Sequence, residues 1–376
     1  MTQQLPQHAA AQDGANLAYV AAAGFESARR LTGPGAPSRL RAVHGHGFRA
    51  SVQVRQDSPL AQASFDGAQV DALRERLRAA VAPLDYQMLN DHLAEPSDEN
   101  LARWIRERLG AGGIARIGLQ GTPDQGVELD AAGGLHVWRR YQFEAAHQLP
   151  RVVPGHKCGR MHGHGFAVLL HVDAAGGGAA ADTALLDRLW APLHRQLHHA
   201  CLNDIAGLEN PTSENLAHWL WMGLQPQLPA LRWVTVFETA TCGAHFDGQY
   251  YRIWKDLGFD SAVRLQGAPA SDGRGRIHGH SYRLRLHLVA PLDAVQGWTI
   301  DFGDVKALFG PVFDRLDHHP LHELPGVAQG GSAALLQWVR AQALPVLPQL
   351  ERVDLFETAG CGALLQWGEG QPVLPV

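Results

Sequence analysis

The sequence predicts an α+β fold in which three tandem ββααββ units close one β-barrel, with their helices outside. Three recurring markers carry this reading. The tripeptide His-Gly-His stands at 44–46, 162–164 and 278–280, at nearly constant spacing. A leucine opening a polar patch follows each time, at Leu84 (LDYQMLND), Leu197 (LHHACLND) and Leu316 (LDHHPLHE). A third marker closes each segment: LQGTPDQG around Gln120, FETATCGA around Glu238 and FETAGCGA around Glu357. Markers repeating in one order at one period indicate a tandem triplication. The division expected is a mobile polar tail over 1–15 and units over 16–131, 135–253 and 254–376.

Each unit opens on residues that suit strands. After His-Gly-His, the runs FRASVQVR (48–55), FAVLLHV (166–172) and YRLRLHLV (282–289) roughly alternate at period two, the strand signal. In the second unit a Gly/Ala-rich connection leads to a helical segment, DTALLDRLWAPLHRQL. A second helix begins in NPTSENLAHWLW, where Thr212 or Ser213 can cap it and Glu214 falls in the first turn. The strand WVTVFET (233–239) then meets a glycine turn and a hairpin partner read in AHFDGQYYRIW. Alone, such a sheet would expose unpaired edges; three of them closed into one barrel leave none.

Composition narrows the function. The 376 residues are 45% hydrophobic and 18% charged, enough for a large core and inconsistent with general disorder. A net charge of −5 argues against nucleic acid or an anionic membrane as the main partner. No apolar run approaches the roughly 18–20 residues of a membrane span. The opening MTQQLPQHAAAQDGAN has neither the basic nor the apolar part of a secretory signal. Cys158, Cys201, Cys242 and Cys361 lie far apart without a C-x-x-C pair, so no disulfide framework and a cytoplasmic location are expected. The last three read as small buried hydrophobes. The 21 histidines are the unusual count.

In the second unit His162 and His164 are two apart on a strand and therefore share a face. His147, in YQFEAAHQLP, can face them from the neighbouring antiparallel strand. Three imidazoles with one open position are the arrangement of a catalytic zinc. Cys158, four residues before His162, would then lie near the cation and have its thiol pKa lowered. The other units break the set: Arg29 and Val263 replace His147, and Leu40 and Arg274 replace Cys158. One zinc per chain is expected.

These segments carry a resemblance. FEAAHQLP, GHKCGRMHGHGF, LNDIAGLENPTSENLAHW and ETATCG in the second unit resemble the bacterial 6-carboxytetrahydropterin synthases of queuosine (7-deazaguanine) biosynthesis. The third unit carries GWTIDFGDVKALF and RLDHH, and the resemblance runs from about residue 17 across nearly the whole chain. The short C-x-x-x-H-G-H spacing is closer to these carboxy-forming enzymes than to the animal 6-pyruvoyltetrahydropterin synthases. The resemblance implies the tunnelling fold, with three subunits closing a twelve-stranded barrel and two barrels stacked face to face. Here one chain would form a pseudo-trimer and a homodimer would rebuild the assembly.

For the site, the resemblance implies Zn2+ on His147, His162 and His164, with Cys158 as nucleophile-like group or general base. It implies that Glu238 grips the amino group and ring N–H of a pterin, an edge of two donors that an ionised carboxylate suits. Glu214 would contribute nearby, and Glu357 is the third unit's equivalent of Glu238. It also implies an Asp-His pair supplied across a subunit boundary. Unit two has His198 in place of that Asp and keeps His199; unit three keeps Asp317 and His318 but has Ala333 where Glu214 stands. Unit one has Asp85 and Tyr86, and Gln120 is read in place of the glutamate. One composite site is therefore expected, with Asp317–His318 completing unit two; the alternative is that His199 serves alone.

The implied reaction turns 7,8-dihydroneopterin triphosphate into 6-carboxytetrahydropterin, acetaldehyde and triphosphate, with Lys157, Arg160 and Arg274 as candidates to meet the triphosphate. The competing readings are 6-pyruvoyltetrahydropterin formation, an aldolase-like cleavage whose enzymes carry glutamate where Cys158 stands, and a non-catalytic pterin- or zinc-binding protein.

Overall fold

A computed structural model describes residues 14–33, 38–110, 112–174, 179–293, 297, 299–327 and 331–368. The expected tail lies outside them up to residue 13. Unit one comprises β1 (Asn16–Arg29), β2 (His44–Arg55), α1 (Gln69–Val81), β3 (Gln87–Met88), α2 (Asp98–Leu109), β4 (Ile114–Thr122) and β5 (Gln125–Asp130). Unit two repeats the order as β6 (Leu135–His147), β7 (His162–Asp173), α3 (Ala179–Leu197), β8 (Ala200–Cys201), α4 (Ser213–Leu224), β9 (Leu231–Thr239) and β10 (Cys242–Phe246). Unit three is β11 (Tyr251–Val263), β12 (His278–Val289), α5 (Phe302–Phe313), α6 (Ser332–Ala343), β13 (Leu350–Thr358) and β14 (Cys361–Gln366).

The twelve long strands form one antiparallel ring that closes where β14 pairs with β1, from Asn16↔Gln366 to Val20↔Gly362. The two-residue strands β3 and β8 add parallel pairs to β1 and β6 outside that ring. One detail differs from the sequence reading. AHFDGQYYRIW is not a single hairpin partner: β10 ends at Phe246, and Tyr251 already opens the next unit's first strand. A turn in which the Asp247 carboxylate accepts from the N–H groups of Gln249 and Tyr250 separates them.

Alternation places the core on the outer face of the barrel. Along β12, Tyr282, Leu284, Leu286 and Leu288 join the apolar core that the helices also contribute to. Arg283, Arg285 and His287 alternate with them and face the lumen. The lumen is filled by buried polar pairs. Arg285 binds Asp256, His287 and Arg352 bind Asp354, Arg252 binds Glu351, and Arg116 and His171 bind Glu128. Burial pushes Glu128 up, but Arg116 and His171 outweigh it and hold the carboxyl at about 2. Pairing of this kind is what permits charge in a closed interior. No helix among the described residues is long and apolar enough to cross a membrane.

Candidate metal centre

The pairing of β6 with β7 sets His147 opposite His162 and Ala145 opposite His164. The three imidazoles gather there, and their ligand atoms lie within 4.8 Å of one another. Each ring is oriented by the backbone carbonyl of another residue. Nδ1 donates to Pro211 O at 3.2 Å from His147, to Arg160 O at 2.8 Å from His162, and to Gly165 O at 3.1 Å from His164. A proton fixed on Nδ1 leaves Nε2 with a bare lone pair, the usual preparation of a ligand histidine. The Nε2 atoms of His147 and His164 face each other at 3.2 Å. Two lone pairs repel at that distance unless a cation lies between them. Tetrahedral nitrogens about 2.0–2.1 Å from zinc stand about 3.3 Å apart, so the donor set fits such a metal. Burial and the two neighbouring imidazoles push His147 down to about 4, against its bond to Pro211.

Unit one places a guanidinium where unit two has His147. Arg29 pairs with His44 in the register in which His147 pairs with His162. Its guanidinium donates to Asp98 Oδ1 at 2.6 Å and to Pro96 O at 2.9 Å, and stands 3.5 Å from His46 Nε2. The register also corrects the reading of Gln120. Gln120 pairs with Arg49 as Phe237 pairs with Ala167 and Phe356 with Arg283. Gly121, not Gln120, therefore occupies the glutamate position. A Cβ on Gly121 would lie 2.8 Å from Asp98 Oδ2, so the Asp98 carboxylate takes up that space. In unit one Arg29 and Asp98 thus fill the space that His147 and Glu238 occupy in unit two.

The equivalence of Leu40, Cys158 and Arg274 also has a structural basis. Their carbonyls accept from Leu31, Leu149 and Leu265 at 2.8, 2.8 and 2.9 Å. Arg274 binds Asp272 in its own unit and Asp71 of unit one. That engagement belongs to the boundary between units three and one, not to the metal site. Lys157 and Arg160 are exposed beside Cys158.

The carboxyl groups are strongly perturbed. Glu214 is 2% exposed and accepts from Thr299 N at 2.9 Å and Thr299 Oγ1 at 3.2 Å, so unit three covers it. Burial, opposed by the bonds from Thr299 and reinforced by Glu238, pushes it up to about 7. Burial also raises Glu238, while His164, Ser213 and His162 pull it down. Glu357 sits at the boundary with unit one, takes a hydrogen bond from Ser332, and is pushed by burial up to about 7. Cys158 lies half-buried in the short 3-10 turn Lys157–Gly159. Burial, Glu238 and Asp301 raise its thiol and Lys157 opposes them. The lowered pKa read from sequence depends on the charge of a cation that these side chains do not themselves supply. Cys201 is half-buried as well; Cys242 and Cys361 are buried.

Tyr86, His199 and His318 share a left-handed backbone, with φ of 54°, 60° and 56°. Their N–H groups bond Glu26, Glu144 and Asp260 O, and the preceding Asp85, His198 and Asp317 accept from the N–H groups of those same residues. Asp317 also lies 2.9 Å from His318 Nδ1. Among the described residues no contact joins Asp317 or His318 to Cys158 or the three-histidine set. His199 stands 3.4 Å from Glu144, both side chains being largely exposed, beside an open surface depression that also takes in His164 and Cys201. Sequence reasoning missed Thr299 and Asp301 at this site, although both lie in the quoted GWTIDF.

Fold and site together define a barrel built from three copies of one unit, with a candidate three-histidine metal centre in the second. The chain belongs to the 6-pyruvoyl tetrahydropterin synthase family, whose model matches residues 19–131, 136–249 and 252–366. It is 37% identical over 119 residues to the 6-carboxy-5,6,7,8-tetrahydropterin synthase of Synechocystis sp., covering 29% of this chain and 91% of that protein. The family and this relative place the chain among lyase-type enzymes. Among solved structures, the Caenorhabditis elegans 6-pyruvoyl tetrahydropterin synthase matches at 20% identity and a TM-score of 0.27, over 30% of this chain and 92% of its own. The Plasmodium vivax enzyme matches at 18% and 0.24, over 31% and 98%.

Proposed function

We infer that the chain converts 7,8-dihydroneopterin triphosphate and one water to 6-carboxy-5,6,7,8-tetrahydropterin, acetaldehyde and triphosphate, as in queuosine biosynthesis, at one zinc-dependent site per chain. The observation that carries this reading is the three-imidazole set near Cys158 and Glu238, intact in unit two alone among the described residues, in the unit that retains the motifs of the carboxy-forming enzymes. His147, His162 and His164 would hold the metal, which when bound makes coordinated hydroxyls more acidic. Glu238, with Glu214 behind it, accepts the pterin's amino and ring N–H protons. Cys158 moves a proton between side chain and ring.

His199 is taken as the second proton carrier because it lies in the same unit as the three imidazoles and has the Glu144 carboxylate beside it. The Asp317 carboxylate is already engaged by the Asp260 N–H and His318. A homodimer fits the same mouth of the barrel. Val43, Met161 and Ile277, each just before a His-Gly-His, repeat there as exposed apolar side chains that a second copy would cover. Four free cysteines fit a reducing cytoplasm.

The test is mass spectrometry of products formed from 7,8-dihydroneopterin triphosphate by zinc-loaded protein. 6-Carboxytetrahydropterin with acetaldehyde supports the reading. A pyruvoyl product moves the chain to the other branch of the family, and absence of turnover with zinc bound leaves a binding protein.

A further inference from the structure

The turn that carries Cys158 is tied to the neighbouring unit through one imidazole. His156 caps the turn: its Nδ1 accepts from Cys158 N at 3.2 Å, and its backbone carbonyl accepts from Gly159 N at 3.1 Å. A ring nitrogen that accepts from an N–H carries no proton, so in the neutral ring the proton sits on Nε2. That nitrogen points across the boundary to Asp301 Oδ2 of unit three, at 3.6 Å. The distance is longer than a hydrogen bond and within ion-pair reach. Both side chains are largely covered, at 23% and 20% exposed.

Asp301 is fixed independently of His156. It is the N-cap of α5, and its Oδ1 accepts from Gly303 N at 2.7 Å and Asp304 N at 3.2 Å. One oxygen of the carboxylate is therefore held by the helix start while the other faces the imidazole. The same boundary is fastened nearby by Thr299 on Glu214 and by Thr212 Oγ1 donating to Gly297 O at 2.6 Å. The boundary between units three and one offers a comparison. There Asp272 accepts from Arg274 N at 3.0 Å, as His156 does from Cys158 N, and Arg274 reaches Asp71 at 2.7 Å on the next unit's helix. A polar link from this turn to the following unit thus occurs at two boundaries in two chemistries.

We propose that His156 and Asp301 form a latch between units two and three that positions the Cys158 thiol, His156 acting as a positioning residue and not as a catalytic one. The inference rests on Cys158 belonging to the reactive site, but the geometry of the latch does not depend on which reaction occurs there. Its role is to hold the turn closed on the metal pocket, so that the thiol's reach is set by the neighbouring unit.

A double-mutant cycle on the full chain tests this. Asp301→Asn keeps the helix cap and loses the charge; His156→Asn keeps an acceptor near Cys158 N and loses the reach to Asp301. The first readout is the rate at which iodoacetamide alkylates Cys158, followed by peptide mass spectrometry with Cys201 as internal reference; it needs neither substrate nor turnover. Each single variant is expected to raise the Cys158 rate about fivefold, with the double variant no faster than either single one. The second readout is kinetic: kcat falls about tenfold while KM stays within twofold, with bound metal and thermal midpoint unchanged. Effects that multiply in the double variant would show two independent actions, such as a simple field effect of Asp301 on the thiol, and would overturn the latch. An unchanged alkylation rate in both single variants would overturn it too. If alkylation follows the latch but no pterin is turned over by the unaltered protein, the proposed reaction is wrong and the latch stands.

Discussion

Replacing Arg29 by alanine should destabilise the chain strongly, although Arg29 lies in unit one and not at the three-histidine set of unit two. Its side chain and that of Asp98 are 5% and 10% exposed, and they meet at 2.6 Å. Removing the guanidinium leaves the Asp98 carboxylate buried without its counter-charge, and the Pro96 carbonyl without its donor. Breaking one side of a buried pair costs about 3–5 kcal/mol. For a chain of this length, about 4 kcal/mol lowers the thermal midpoint by about 5 °C. Calorimetry measures it directly. Arg29→Met combined with Asp98→Ser removes both charges and should recover most of the loss; serine is what unit two carries at the equivalent Ser213. Arg29→His combined with Asp98→Ser goes further and recreates three imidazoles with His44 and His46, so bound metal should rise from one to two per chain. A cost below about 1 kcal/mol for Arg29→Ala, or a double variant no more stable than the single one, would refute the view that this guanidinium stands in for the lost metal.

Three further outcomes follow from named groups. Glu214 has a folded pKa of about 7, above its usual 4.5, so it favours the folded state at low pH and this contribution is lost as pH rises from about 4.5 through 7; Glu214→Gln should remove up to about 3 kcal/mol of that decline in denaturant titrations at pH 5 and pH 8. His287 has the opposite sign: burial and the nearby Arg352 and Arg285 outweigh Asp354 and hold it at about 4, so its contribution is complete above pH 6.5 and is lost as pH falls toward 4; His287→Gln should flatten acid unfolding by up to about 3 kcal/mol. His199→Ala should lower kcat about 100-fold with metal retained, while His318→Ala should change it less than threefold; the reverse order would restore the composite triad expected from sequence.

The triplication was legible because three markers recur in order, and the metal set because His147, His162 and His164 obey strand geometry that sequence spacing already contains. What stayed hidden depended on contacts between units. Gln120 looked like the degenerate glutamate because LQGT was aligned by its polar side chain; strand register, set by the same bulge in all three hairpins, moves the match to Gly121. Thr299, Asp301 and His156 were within quoted motifs, but nothing local shows that Thr299 meets Glu214 or that Asp301 meets His156 across a boundary. The charged lumen was also missed. Alternation in YRLRLHLV marks a strand but not that closure of the ring buries Arg285 and His287 on its second face, where they need partners such as Asp256 and Asp354.

If one of three ancestral sites survives, in unit two, metal content shows it most directly. Purified chain loaded with zinc and desalted should carry one zinc per 376-residue chain by inductively coupled plasma and native mass spectrometry. His147→Ala should reduce that to none, and His46→Ala or His280→Ala should leave it at one. Two or three tightly held ions per chain, or one ion that survives His147→Ala, would contradict it.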